Sequence, residues 1–257
     1  MRAPWAMSDL ERAASFEEAI RDRCAERIVE TTFGPALFND TYPRVWALNT
    51  LRVERPGDAT AAEIAEEAGR VQADLEHRRV ILPLGAHELE GGFRELGWEG
   101  DHFLFMVYRG GPAERVDTGP VEEVEAIRLF DLRRTIIHEW LPTDDETIAE
   151  IFAADLLVWR AANARSFAVV EDGTVVSSAE LYSDWGTAQV EEVQTLPSHR
   201  GRGHAKATVT RAVEEALAGG HEFIFLVADG DDWPKELYRR LGFEEVGSRF
   251  AFLRRSA

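Results

Sequence analysis

Val190-Glu191-Glu192-Val193-Gln194-Thr195-Leu196-Pro197-Ser198-His199-Arg200-Gly201-Arg202-Gly203-His204-Ala205 is the stretch whose reading decides the fold. Its first six residues are short and partly β-branched, and Leu196-Pro197 closes them, so they read as a strand. Ala205 to Ala218 has the composition of a helix, which Gly219-Gly220 stops. Between strand and helix, Gly201 and Gly203 allow a tight turn that leaves backbone amides uncovered. Amides at a helix N-terminus, with the helix dipole behind them, favour an anion. The stretch is therefore a candidate phosphate cradle.

Charge sharpens that reading. The chain of 257 residues carries a net charge of −18. Yet no acid occurs from Val193 to Val213, while Arg200, Arg202, Lys206 and Arg211 all do, with His199 and His204 between them. A basic island in so acidic a chain points to an anionic ligand drawn to one place. Neither a Walker loop nor a dinucleotide fingerprint fits the spacing.

Arg200-x-x-Gly203-x-Ala205 resembles the acetyl-CoA signature of GNAT acetyltransferases. Glu222 to Ala228 reads as the next strand. The helix after it ends in Leu237-Tyr238-Arg239-Arg240-Leu241-Gly242-Phe243, which resembles a second hallmark of that family. The resemblance covers residues 121 to 257. It implies an α/β (α+β) fold whose pyrophosphate-binding amides are those of Arg200, Gly201, Arg202, Gly203, His204 and Ala205, with Lys206 nearby. It also implies that the backbone of Val193, Gln194 and Thr195 pairs with the acetyl and pantetheine groups. Tyr238 matches the family's general acid, and an ordinary tyrosine is protonated at neutral pH. Glu191 and Glu192 are the candidate bases. Alternation along a strand puts them on opposite faces, and Glu191 is preferred because it would share a face with Val193 and Thr195. Asp231 stands where the family often has Asn contacting pantetheine. A carboxylate accepts there but cannot donate.

The first half looks like a faded copy of the second. Gly92-Phe93-Arg94-Glu95-Leu96-Gly97-Trp98-Glu99 lines up with Leu237 to Glu244, and a hydrophobic strand follows each. In place of the signature it has Glu54-Arg55-Pro56-Gly57-Asp58-Ala59. Pro56 removes an amide and Asp58 repels phosphate, while Phe93 stands where Tyr238 does. The expected organisation is an N-terminal helix (1–29), a degenerate GNAT-like domain (30–112), a linker, and a coenzyme-binding GNAT domain (121–257): two mixed-sheet domains in tandem. The linker runs from Gly110-Gly111-Pro112 to Gly119-Pro120.

Within the first half, residues 8 to 29 read as a helix capped at Ser8-Asp9. Val45 to Val53 reads as a strand. Thr60 to His77 reads as a helix whose Thr60 and Glu63 have the spacing of a capping box. In the second half, Asp131 to Trp140 and Asp144 to Asn163 read as helices. Ser166 to Val170 and Thr174 to Tyr182 read as a hairpin turning at Asp172-Gly173. Cys24 reads as a packing residue; so do Trp140 and Trp159, with the alternative, implied by the resemblance, that they shape the acceptor pocket lined by the first two helices of the GNAT domain.

Composition excludes some classes. No window approaches the ~18 apolar residues of a membrane span. The N-terminal residues lack an apolar signal core, and the single cysteine, Cys24, allows no internal disulfide, so a cytoplasmic setting is expected. So acidic a chain with no extended basic face makes nucleic acid an unlikely partner. The expected activity is acetyl-CoA-dependent N-acetylation of a small-molecule amine, without a metal, by a monomer or homodimer. The alternative is a silent acyl-CoA-binding module.

Overall fold

The structure, a computed structural model, describes residues 7–111 and 115–255. Residues 112–114 of the linker and the two ends of the chain, including the first residues of the N-terminal segment, lie outside the described residues. The chain forms a mixed α/β structure in two compact units, one comprising Met1–Leu104, Asp229–Asp232 and Gly247–Ala257, the other Phe105–Ala228 and Trp233–Val246.

The first unit opens with α1 (Asp9–Cys24), whose N-cap Ser8 accepts from the Glu11 amide while Glu11 returns the bond. Cys24 is buried, and burial pushes its thiol up to about 11, so it packs as a small apolar residue. β1 (Arg27–Glu30) and β2 (Pro35–Phe38) form an antiparallel pair, and β2 pairs antiparallel with β3 (Thr50–Arg52). The strand expected over Val45–Val53 is shorter than its composition suggests. Asn49 is buried, and its side-chain amide donates to the carbonyls of Tyr42 and Val45. This holds Trp46–Leu48 in a 3₁₀ turn. From β3 the chain crosses through α2 (Ala61–Val71) to β4 (His77–Ile81), which runs parallel to β3 with Leu51 opposite Val80. α2 stops at Val71 rather than His77, because buried Gln72 turns inward and bonds the backbone of Arg79. α3 (Glu88–Glu95) follows, and then β5 (Glu99–Tyr108). The last part of β11 (Phe243–Arg255) pairs antiparallel with β4, Ala251 opposite Ile81. Ile64 and Ala68 of α2, Leu51, Val80, Phe93 and Phe252 form the core, with the rings of Phe93 and Phe252 stacked at 4.7 Å.

The second unit runs β6 (Val121–Val124), α4 (Phe130–Trp140), α5 (Asp145–Ala161), β7 (Arg165–Glu171), β8 (Thr174–Asp184), β9 (Thr187–Thr195), α6 (His204–Ala218), β10 (Phe223–Asp229) and α7 (Pro234–Arg240). β6, β7, β8 and β9 are successive antiparallel neighbours, and β10 lies parallel to β9. The β7–β8 hairpin turns at Asp172-Gly173, both at positive φ, as a two-residue primed turn requires. Asp144 caps α5 by accepting from the Thr147 amide. α6 packs on β8 and β9 through Ala207, Val209, Ala212, Val213 and Ala216, a stripe at helical spacing. Trp159 is buried against Phe152, whereas Trp140 is exposed.

Candidate active site

β9 pairs with two neighbours that part from it at different points. With β10 the register runs from Thr187 to Val190 and ends at Leu226 opposite Val190. With β8 it continues to Thr195. Val190 and the residues before it in β9 are buried, whereas Glu191 to Thr195 are only partly covered. The candidate backbone of Val193, Gln194 and Thr195 therefore belongs to the part of β9 beyond its last pair with β10.

Glu191 and Glu192 sit at a bulge. Gln194 stands opposite Ser178 and Glu191 opposite Glu180, so one extra β9 residue is fitted between them, and Glu192 has φ 49°. The bulge overturns the simple alternation. Thr195 pairs with Ser177, on the other face, and Glu191 instead shares its face with Gln194, Ser178 and Glu180. That face carries a buried polar cluster. Arg133 of α4 donates through Nε to Asp155 of α5 at 3.0 Å and through Nη2 to the same carboxylate, while its Nη1 donates to Glu192. Gln194 also donates to Glu192, at 2.9 Å, and Gln189 donates to Glu191. Burial raises Asp155 to about 6 against the pull of Arg133. Arg133, Asp155 and Glu180 were not among the candidates. Each was marked in the sequence as a charge inside an otherwise apolar helix or strand face, as in Ala153-Ala154-Asp155-Leu156-Leu157 and Ala179-Glu180-Leu181.

Beyond β9 the turn is built by its glycines. Gly201 and Gly203 have φ 76° and 88°, a region L-side chains rarely adopt, and a Cβ on either would point into open space. Gly203 is the N-cap of α6, and among the described residues no side chain caps that helix. The first turn holds no acid. Its basic side chains have protein partners: Arg200 donates to Glu139 and to the Thr195 carbonyl, and Arg202 to the Ser198 carbonyl. Glu171, at the end of β7, gathers His204 Nε2 at 3.1 Å, His199 Nε2 at 3.5 Å and Arg202 at 3.6 Å. Lys206 follows in the first turn of the helix and is partly exposed. The turn is thus braced by its side chains on carboxylates while its helix end is left without a side-chain cap.

Tyr238 lies on α7, buried, with its ring 6.3 Å from that of Phe243. Burial, with Glu191 adding to it, pushes its phenol well above the ordinary value, so it holds its proton at neutral pH. Gly242, the glycine of the Leu-Gly-Phe hallmark, has φ 93°, and a Cβ there would lie 1.5 Å from the Gly110 carbonyl. Only glycine fits that crossing. Asp231 falls in the first unit, exposed, with His102 Nδ1 at 3.3 Å from its carboxylate.

Residues 126–243 match the family model described as Acetyltransferase (GNAT) family. They belong to the GNAT acetyltransferases. Solved structures agree on the fold. A conserved protein from Staphylococcus epidermidis ATCC 12228 superposes with a TM-score of 0.70 at 16% identity, over 91% of this chain and 95% of that one. A GCN5-related N-acetyltransferase from Kribbella flavida gives 0.63 at 22% identity, over 96% of each chain. A tandem GNAT protein from the clavulanic acid biosynthesis pathway gives 0.52 at 11% identity, over 90% of this chain and 82% of that one. No curated protein matches the chain by sequence. Among the described residues, no helix is long and apolar enough to cross a membrane, and no group of three His, Cys, Asp or Glu is placed to hold a metal ion.

Proposed function

We propose that the second unit is an acetyl-CoA-dependent N-acetyltransferase that moves an acetyl group to the primary amine of a small-molecule acceptor by direct attack in a ternary complex. The observation that carries this reading is the uncapped N-terminus of α6 next to the stretch of β9 that has left β10. The amides of Arg200 to Ala205 take the pyrophosphate, with Arg202 and Lys206 nearby. Backbone amides of Val193 to Thr195 polarise the thioester carbonyl.

In this mechanism the amine nitrogen forms a bond to the carbonyl carbon as the carbon–sulfur bond breaks. The proton lost from nitrogen goes to Glu191, and Tyr238 gives its proton to the departing thiolate. Arg133 supports Glu191 rather than Glu192 as the base, because Glu192 is engaged by its guanidinium. The chemistry uses no metal. The degenerate domain expected over residues 30–112 is proposed to bind no coenzyme.

The test is a thermal shift with acetyl-CoA on the wild type and on Gly203→Glu. A ligand at 100 times its dissociation constant adds about 2.7 kcal/mol to stability. A wild-type shift that disappears in the variant supports the site and justifies a screen of amines for thiol release. Absence of a shift in the wild type would sink the proposal.

A further inference from the structure

Glu180 is fully buried at the middle of β8, and among the described residues neither of its carboxyl oxygens has a hydrogen-bond partner. Four carboxyl groups meet in this region: Glu180 from β8, Glu191 and Glu192 from the bulge of β9, and Asp155 from α5. One guanidinium, Arg133 from α4, lies among them and donates to Asp155 and Glu192. Tyr182, two residues along β8, is buried beside them and is a neutral phenol. A buried carboxyl group that no side chain or backbone donor reaches favours its protonated form in a protein interior.

We propose that Glu180 stands as a neutral carboxylic acid behind the bulge of β9, a positioning residue that adds no negative charge beside Glu191 and Glu192. An ionised Glu180 would raise the proton affinity of the acids around it and so disable a base among them. Burial acts on Glu180 most strongly, followed by Glu192, and both favour its protonated form; Arg133 opposes them. The assignment of Glu191 as base rests on the reading above. The protonation of Glu180 is measured without any substrate, so the two fail separately.

The experiment is infrared spectroscopy of the unliganded protein at pH 7.5 (roughly three units above the ordinary glutamate value). The C=O stretch of a protonated carboxyl is expected in the wild type and in Arg133→Lys, and it is expected to be lost in Glu180→Gln. In Glu192→Gln, which removes the charge that acts on Glu180 most strongly, the pH at which the band bleaches is expected to fall by at least about one unit. That shift is not expected of a residue that only fills space, and it keeps the proposal testable should Glu180→Gln fail to fold. A second reading comes from denaturation. The folded pKa lies above the unfolded one, so the stability linked to Glu180 is present in acid and drains away as pH rises. The folding equilibrium of Glu180→Gln should therefore gain on the wild type by about tenfold per pH unit from about pH 5 to 7. No protonated band in the wild type, or an unchanged band in Glu180→Gln, overturns the proposal, as does a stability difference independent of pH.

Discussion

The chain makes the same crossover twice and finishes it differently. In the first unit β3, α2 and β4 form a parallel strand–helix–strand step, and in the second β9, α6 and β10 form another. At α2 the N-cap is Thr60, its hydroxyl accepting from the Glu63 amide while Glu63 returns a bond of 2.8 Å to the Thr60 amide. At α6 the N-cap is Gly203 in the left-handed region, without a side-chain cap, and the residue matching Glu63 is Lys206. One helix answers its own orphan amides and places a negative charge beside them. The other leaves them to be answered from outside and places a positive charge there. A shared topology thus says little about ligand binding. The first turn of the crossover helix decides it.

The helices that follow repeat the contrast. Phe93 of α3 and Tyr238 of α7 occupy matching places before a glycine and a strand. Phe93 is sealed in the core of its unit, stacked on Phe252, whereas Tyr238 is a buried phenol under the influence of Glu191. The largest expected effect is therefore on Tyr238. Tyr238→Phe keeps the ring and removes the proton donor. It should lower kcat for thiol release by ~10²–10⁴-fold while leaving the acetyl-CoA thermal shift in place. Loss of the shift together with the rate would mean that Tyr238 serves packing or binding rather than proton transfer.

Next in size is an exchange of charge in the first turn. Lys206→Glu gives α6 the carboxylate that Glu63 gives α2 and leaves Gly203 in its left-handed conformation. The carboxylate then competes for the amides proposed to hold pyrophosphate, and affinity for acetyl-CoA should fall by about 100-fold, ~2.7 kcal/mol. Titration calorimetry measures it. Affinity within threefold of wild type would show that the contrast between the two helix ends has no bearing on the coenzyme.

Much of this contrast was legible in the sequence. The Thr60–Glu63 spacing, the Asp172-Gly173 turn and the acid-free run after Val193 are local signals, and local hydrogen bonding or backbone freedom enforces them. What escaped was set by distant partners. The bulge at Glu192 depends on Arg133, which is 59 residues away in the chain, so alternation alone placed Glu191 on the wrong face. The early end of α2 depends on Gln72 reaching Arg79, and the loss of strand at Trp46–Leu48 depends on Asn49 turning back on the chain. In each case a polar side chain satisfied backbone or charge groups that composition does not reveal. Charges standing alone in apolar runs, such as Glu180 and Asp155, were the signal available for the cluster.

Two smaller effects sharpen the comparison from the side of the first unit. Phe93→Tyr writes the catalytic candidate into the other copy. The position is sealed, so the new hydroxyl loses its water, and stability should fall by about 1–3 kcal/mol with no gain in thiol release. Urea denaturation beside the thiol assay reads both. A rise in turnover would contradict the proposal that the degenerate domain is silent.

The smallest effect falls on Thr60. If its hydroxyl serves only to close α2, Thr60→Ala should cost about 1 kcal/mol, as the loss of an N-cap does elsewhere. Acetyl-CoA affinity, which is proposed to reside at α6, should not change. Glu63 would lose both its bond to the Thr60 hydroxyl and the reciprocal half of the box, while its bond to the Thr60 amide survives the substitution. Thr60→Ser keeps the hydroxyl and should recover most of the stability. If instead Thr60→Ala bound acetyl-CoA more tightly than the wild type, the closed cap would be masking a second anion site. The difference between the two helix ends would then be one of degree, set by a single hydroxyl.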